Sequence, residues 1–136
     1  MFVLDCSVTM SWLFQDERTT YTEKLLEYLQ EQETAIAPSL WPAEVANVLL
    51  VAERKKRISS AQSLQFLAVL KALPIEIEEP PNLQTIQALL LLAQTYRLTA
   101  YDACYLELAI RHSSPLASLD KNLLKAAKEC GIPFIK

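Results

Sequence analysis

Short apolar runs alternate along this chain with longer stretches whose apolar residues recur at helical spacing. Phe2-Val3-Leu4 is a brief run of the kind that forms a buried strand. Ala35-Ile36-Ala37, Ile75-Glu76-Ile77, Pro115-Leu116-Ala117-Ser118 and Pro133-Phe134-Ile135 resemble it and predict further short strands. Between them the period changes. Thr22 to Gln32 predicts a helix with Leu25, Leu26 and Leu29 as its stripe. Val45, Val48, Leu49 and Ala52 repeat at i, i+3, i+4 and i+7, and so do Phe66, Val69, Leu70 and Leu73. Leu83, Ile86 and Leu90 mark another helix, Ala103, Leu106 and Ile110 a further one, and Leu123, Leu124 and Ala127 the last. Gly131 suits the left-handed residue that closes that last helix.

Buried strands separated by helices predict an α/β fold, with a mostly parallel sheet covered on both faces. Two helices fall between some of the strands, more than a minimal βαβ series needs. The surplus could build a clip or a dimer surface. With 136 residues, no repeat and no linker, the chain is expected to form a single domain over 1–136.

Composition narrows the chemistry. Gly131 is the only glycine, whereas a phosphate-binding P-loop or a dinucleotide fingerprint needs several. Cys6, Cys104 and Cys130 are widely spaced, and a single His cannot complete a zinc site with them. They are expected to be ordinary buried or half-buried thiols. No basic leader precedes Asp5, and the longest apolar stretch, Ala88 to Ala93, is far too short to span a bilayer, so a soluble cytoplasmic protein with no membrane role is expected. The net charge of −3 argues against a uniform nucleic-acid-binding coat. Local clusters survive the average: Arg54-Lys55-Lys56-Arg57, and Lys121, Lys125 and Lys128 on one helix face.

Four acids draw attention by position. Asp5 ends the first strand, Glu44 follows Pro38-Ser39-Leu40-Trp41-Pro42 at a helix start, Asp102 stands where Thr99 would cap a helix in a capping box, and Asp120 is itself an expected N-cap. Singly, helix capping or a favourable helix-dipole position accounts for them. Jointly, they map to the edge where strand C-termini and helix N-termini of a parallel sheet meet, which is where open α/β sheets bind ligands. Acids gathered there repel one another unless a cation or proton intervenes, and an all-oxygen set selects a hard ion such as Mg²⁺ or Mn²⁺. The residues thus point to metal-dependent phosphoryl or phosphodiester chemistry.

The same segments resemble the PIN-domain ribonucleases, and among them the VapC-type toxins of type II toxin–antitoxin systems. Val3-Leu4-Asp5-Cys6-Ser7-Val8 is similar to the family's opening strand and first acid. Pro38 to Leu49 is similar to its second motif, with Asn47 three residues after Glu44. Leu98-Thr99-Ala100-Tyr101-Asp102-Ala103 resembles the third and Ser118-Leu119-Asp120-Lys121-Asn122-Leu123 the fourth. The motifs stand in order over nearly the whole chain; Cys6 departs from the small Ala of many relatives. The resemblance implies a three-layer α/β/α fold with a central, mostly parallel sheet of four or five strands. It implies Mg²⁺ or Mn²⁺ dependence, endonucleolytic cleavage of RNA, a homodimer, and a cognate antitoxin whose C-terminal segment occupies the active site.

On this reading Asp5, Asp102 and Asp120 ligate the metal directly or through water, and Glu44 ligates it or orients the attacking water. Ser7 and Ser118 could bond a carboxylate or a phosphate oxygen, although Ser7 could equally cap a helix. His112 falls late in its helix, a favourable place for a cation rather than a catalytic one. Trp12, Phe14, Trp41 and the apolar positions around Leu64 and Leu67 could form partner surface, with core packing the ordinary reading. Rival classes are a haloacid-dehalogenase-like phosphatase, which needs a second acid where Ser7 stands, a PIN nuclease in RNA processing outside toxin–antitoxin systems, and a PIN module that binds RNA or protein without cutting.

Overall fold

The computed structural model of the protein describes residues 1–133 and residue 135. Its centre is a four-stranded, all-parallel sheet in the order β3-β2-β1-β4, formed by β1 (Phe2–Leu4), β2 (Ala35–Ala37), β3 (Ile75–Ile77) and β4 (Leu116–Ala117). The strand expected over Pro133-Phe134-Ile135 turns on Phe134, which lies outside the described residues. β1 and β2 are buried along their whole length, which is why their sequences read as unbroken apolar runs. β3 lies at the sheet edge with Glu76 and Ile77 exposed, and its sequence alternates accordingly.

The helices are α1 (Cys6–Ser11), α2 (Thr20–Gln30), α3 (Trp41–Arg54), α4 (Ser60–Ala72), α5 (Leu83–Tyr96), α6 (Ala100–His112) and α7 (Lys121–Glu129). Capping chemistry fixes most of their ends. α2 begins two residues earlier than its apolar stripe predicts, because Thr19 and Thr22 form a reciprocal capping box. Ser59 and Gln62 do the same for α4. α7 closes in a Schellman arrangement: Gly131, at φ +75°, donates its N–H to the Lys128 carbonyl and Ile132 donates to that of Ala127. α3 differs from expectation. Its N-cap is Leu40, without a side-chain bond, so Pro42 helps to start the helix but Ser39 does not cap it.

The core lies around β1 and β2. Leu25, Leu29, Val45, Leu49, Leu106 and Leu123 are buried in it, as their helical spacing predicts. Trp12, Phe14 and Trp41 belong to it as well, so they are packing residues and not partner surface. Each indole is satisfied: Trp12 Nε1 donates to the Thr22 carbonyl at 2.8 Å, and Trp41 Nε1 donates to Thr9 Oγ1 at 3.1 Å. The α4 stripe buries Phe66 and Leu70, whereas the α5 stripe turns outward, and so does Leu64, for which core packing is the ordinary reading. Leu64 on α4 is 68% exposed, and α5 buries no residue, with Leu83 at 86%. Periodicity identifies an apolar face but not what covers it. Among the described residues, no helix is long and apolar enough to cross a membrane.

Candidate active site

The site is built from the register of the central strands. β1 pairs with β4 so that Leu4 stands opposite Ala117, and the Asp5 N–H donates to the Ala117 carbonyl at 3.0 Å. The residues that follow, Asp5 and Ser118, therefore emerge side by side at the C-terminal edge of the sheet. Ser118 Oγ and Ser7 Oγ each donate to Asp5 Oδ2 at 2.7 Å. Both hydroxyls also accept: Ser118 from the Asp120 N–H at 2.9 Å, and Ser7 from the Leu119 N–H at 3.0 Å. The serines thus fix the rotamer of Asp5 and tie it to the loop that carries Asp120. Ser7 holds a carboxylate rather than capping a helix; the N-cap of α1 is Asp5, with no side-chain bond.

Local structure places the other acids. Glu44 lies in the first turn of α3, and Asp102 in the first turn of α6, whose cap Thr99 accepts the Asp102 N–H at 3.1 Å. That leaves the Asp102 carboxylate to face the cavity. Asp120 caps α7, accepting the Asn122 and Leu123 N–H groups at 2.9 and 3.0 Å, both through Oδ1. Thr99 and Asp120 therefore cap as the sequence predicts, whereas Asp5 makes no side-chain cap bond and only the Thr99 half of the expected capping box is formed. Asp5, Glu44, Asp102 and Asp120 line one cavity of about 330 Å³, together with Cys6, Ser7, Met10, Asn47 and Val48. Ser118 stands behind Asp5 and acts on the cavity through it.

The electrostatics are those of crowded acids. Burial holds the Asp5 carboxyl above its ordinary range; the two serine hydroxyls and the Cys6 N–H pull it down, and the charge of Asp120 pushes it further up. Burial likewise raises Glu44, Tyr105 lowers it, and Asp5 and Asp102 raise it again. Asp102 is raised by burial, then by Asp120 and Asp5. Among the described residues, none of the four acids makes an ion pair. A neighbouring cavity of about 300 Å³ behaves differently: its Glu78 and Glu107 are neutralised by Arg111 at 2.9 and 2.8 Å. The unneutralised set is the one suited to a divalent cation. Among the described residues, no three His, Cys, Asp or Glu side chains already stand in an arrangement that holds a metal ion.

Tyr105 is a site residue that sequence reasoning missed. Fully buried, it donates its hydroxyl to Glu44 Oε1. The available signal was its spacing, three residues after Asp102 and so on the same face of α6. A buried tyrosine there needs a partner for its hydroxyl. His112 ends α6, with Nε2 3.6 Å from Glu78. The three cysteines are free, and burial pushes the Cys6 thiol up to about 12, so it is no thiolate nucleophile at neutral pH.

The family model of the PIN domain matches residues 2–129. No curated protein is significantly similar to the chain. Among solved structures, the crystal structure of PAE2754 from Pyrobaculum aerophilum is similar, with a TM-score of 0.70 at 21% identity. The match covers 92% of this chain and 78% of that one, and at this identity it shows a shared fold.

Proposed function

This chain belongs to the PIN-domain family, whose fold is of nuclease type, and from that premise we propose that it is a metal-dependent endoribonuclease. The observation that carries the reading is the set of four carboxylates around one cavity, three of them held above their ordinary range partly by each other's charge. Asp5, Asp102 and Asp120 would hold Mg²⁺ or Mn²⁺, with Glu44 completing the set or orienting water. The bound ion would supply Lewis acidity toward a phosphate oxygen and ease deprotonation of water at neutral pH. Ser7 and Ser118 keep the Asp5 carboxylate in one orientation, and Tyr105 does the same for Glu44. Water is the nucleophile in an in-line displacement, and no side chain forms a covalent intermediate.

We assign the enzyme the role of a toxin restrained by a cognate antitoxin, on the strength of its ordered motifs. The exposed apolar residues of α5, such as Leu83 and Leu90, are consistent with a homodimer. The test is cleavage of single-stranded RNA by purified protein with Mg²⁺, beside Asp5→Asn and Asp102→Asn. Activity should vanish in both variants and in EDTA; full activity in any of these conditions would overturn the proposal. Growth arrest on induction, relieved by the product of a small neighbouring reading frame, separates a toxin from an RNA-processing enzyme.

A further inference from the structure

One of the two basic clusters, that of Lys121, Lys125 and Lys128, lies on the helix that Asp120 caps. A third cavity, of about 410 Å³, is lined by Thr95, Tyr96, Arg97, Asn122, Lys125, Ala126 and Glu129. Its lining has no residue in common with that of the acidic site, but each wall of this cavity lies on a segment that leads to that site. Arg97 ends α5 and lies two residues before Thr99, the cap of the helix that carries Asp102. Asn122 and Lys125 belong to α7, which Asp120 caps. At 1.5 Å per residue, Lys125 stands about 7.5 Å along the helix from Asp120. Successive phosphates of a single strand lie farther apart than the ~3.4 Å axial rise of a stacked duplex, so this is about one nucleotide of strand. Lys121 and Lys128 continue the face of Lys125 at helical spacing, and all three are exposed. Glu129 supplies the one acidic group in the lining.

A cavity with two cations, hydroxyl and amide groups and an aromatic ring, opening next to a phosphodiester-cleaving centre, suits the flanking backbone of a single strand. We propose that the Arg97–Lys125 cavity is a substrate subsite that binds a phosphate of single-stranded RNA close to the scissile one. The inference rests on the nuclease reading of the adjoining acids. Arg97 and Lys125 hold the phosphate, Asn122 and Thr95 bond its oxygens or the sugar, and Tyr96 offers a surface for a base. The subsite gives a chain of net charge −3 a local group of cations through which to engage a polyanion.

The test is binding of a fluorescein-labelled single-stranded RNA oligonucleotide in EDTA, where no cleavage occurs, across a range of salt concentrations. The variant is Arg97→Gln/Lys125→Gln, and the control of equal charge change is Arg54→Gln/Lys55→Gln at the far end of α3. The subsite variant should bind at least about tenfold more weakly at moderate salt. Its log–log salt slope should be shallower by about 0.7, the value for one phosphate contact on a single strand. With Mg²⁺ its KM should rise while kcat holds. The control should match wild type in each measurement. Wild-type affinity and slope in the subsite variant, or equal losses in the control, would overturn the subsite while leaving the nuclease reading intact. Failure of the wild type to bind or cut RNA would overturn both. Thermal unfolding of each variant establishes that a loss of binding is not a loss of fold.

Discussion

Replacing Asp5 by Asn separates a carboxylate kept for chemistry from one kept for the fold. Asp5 is 7% exposed, and its carboxyl is held above the ordinary range by burial and by Asp120. The folded protein therefore binds this proton more tightly than the unfolded chain does. By linkage, stability contributed by the protonated group is present at low pH and is lost as pH rises from the unfolded value, about 3.9, through the folded one. The net sign already includes the serine hydroxyls, because they act on the same carboxyl in the opposite direction. Asn copies the neutral form and leaves an oxygen for Ser7 or Ser118 to donate to. Replacing a buried, repelled carboxylate with its neutral copy should stabilise the protein at neutral pH by on the order of 1 kcal/mol, the usual size of a stabilising substitution. That corresponds to a rise in Tm of roughly 3–6 °C for a domain of this size. The assay is thermal unfolding in EDTA between pH 4 and pH 8. The advantage of Asp5→Asn should be small at the acidic end, grow as pH rises through the window and then level off. RNA cleavage by the same variant should fall at least ~100-fold. A variant less stable than wild type at pH 7.5, or an offset indifferent to pH, would show that Asp5 is a structural hydrogen-bonding acid.

Tyr105→Phe removes the hydroxyl that lowers Glu44, so the Glu44 carboxyl should move further up. The acid limb of the pH–rate profile should shift to higher pH and activity should fall about tenfold; an unchanged profile would remove Tyr105 from the machinery. Ser113→Gly should stabilise the protein by about 1 kcal/mol in urea unfolding, because Ser113 holds a left-handed φ of 49° at the end of α6. A loss of stability there would contradict the backbone reading. Cys6, buried with its thiol pushed up to about 12, should resist iodoacetamide at pH 8 until the protein unfolds. Rapid labelling of Cys6 in the native protein would refute that environment.

What the sequence revealed of the site depended on how local each feature is. Asp120 as a cap is written in a few residues, Asp120 to Leu123, and the structure keeps it. The gathering of Asp5, Glu44, Asp102 and Asp120 was legible because a parallel sheet puts strand ends and helix starts on one edge. The partner of Glu44 was not, because Tyr105 is 61 residues away and reads locally as one more core aromatic. Ser7 was open between capping and bonding a carboxylate until the β1–β4 register brought Leu119 and Ser118 alongside Asp5. The stripe Leu83, Ile86 and Leu90 identified α5 correctly, yet these residues face outward, since apolar spacing alone does not say which surface covers it.

If Asp5, Glu44, Asp102 and Asp120 act together on a divalent ion, the ion should bind without RNA. Mn²⁺ titrated into metal-free protein and followed by electron paramagnetic resonance reads this directly. Wild-type protein should bind Mn²⁺ stoichiometrically, Mg²⁺ should displace it, and Asp5→Asn/Asp102→Asn should leave the Mn²⁺ signal that of the free ion. Undiminished binding in that double variant, or no binding by the wild type, would contradict the assignment of these carboxylates to a metal.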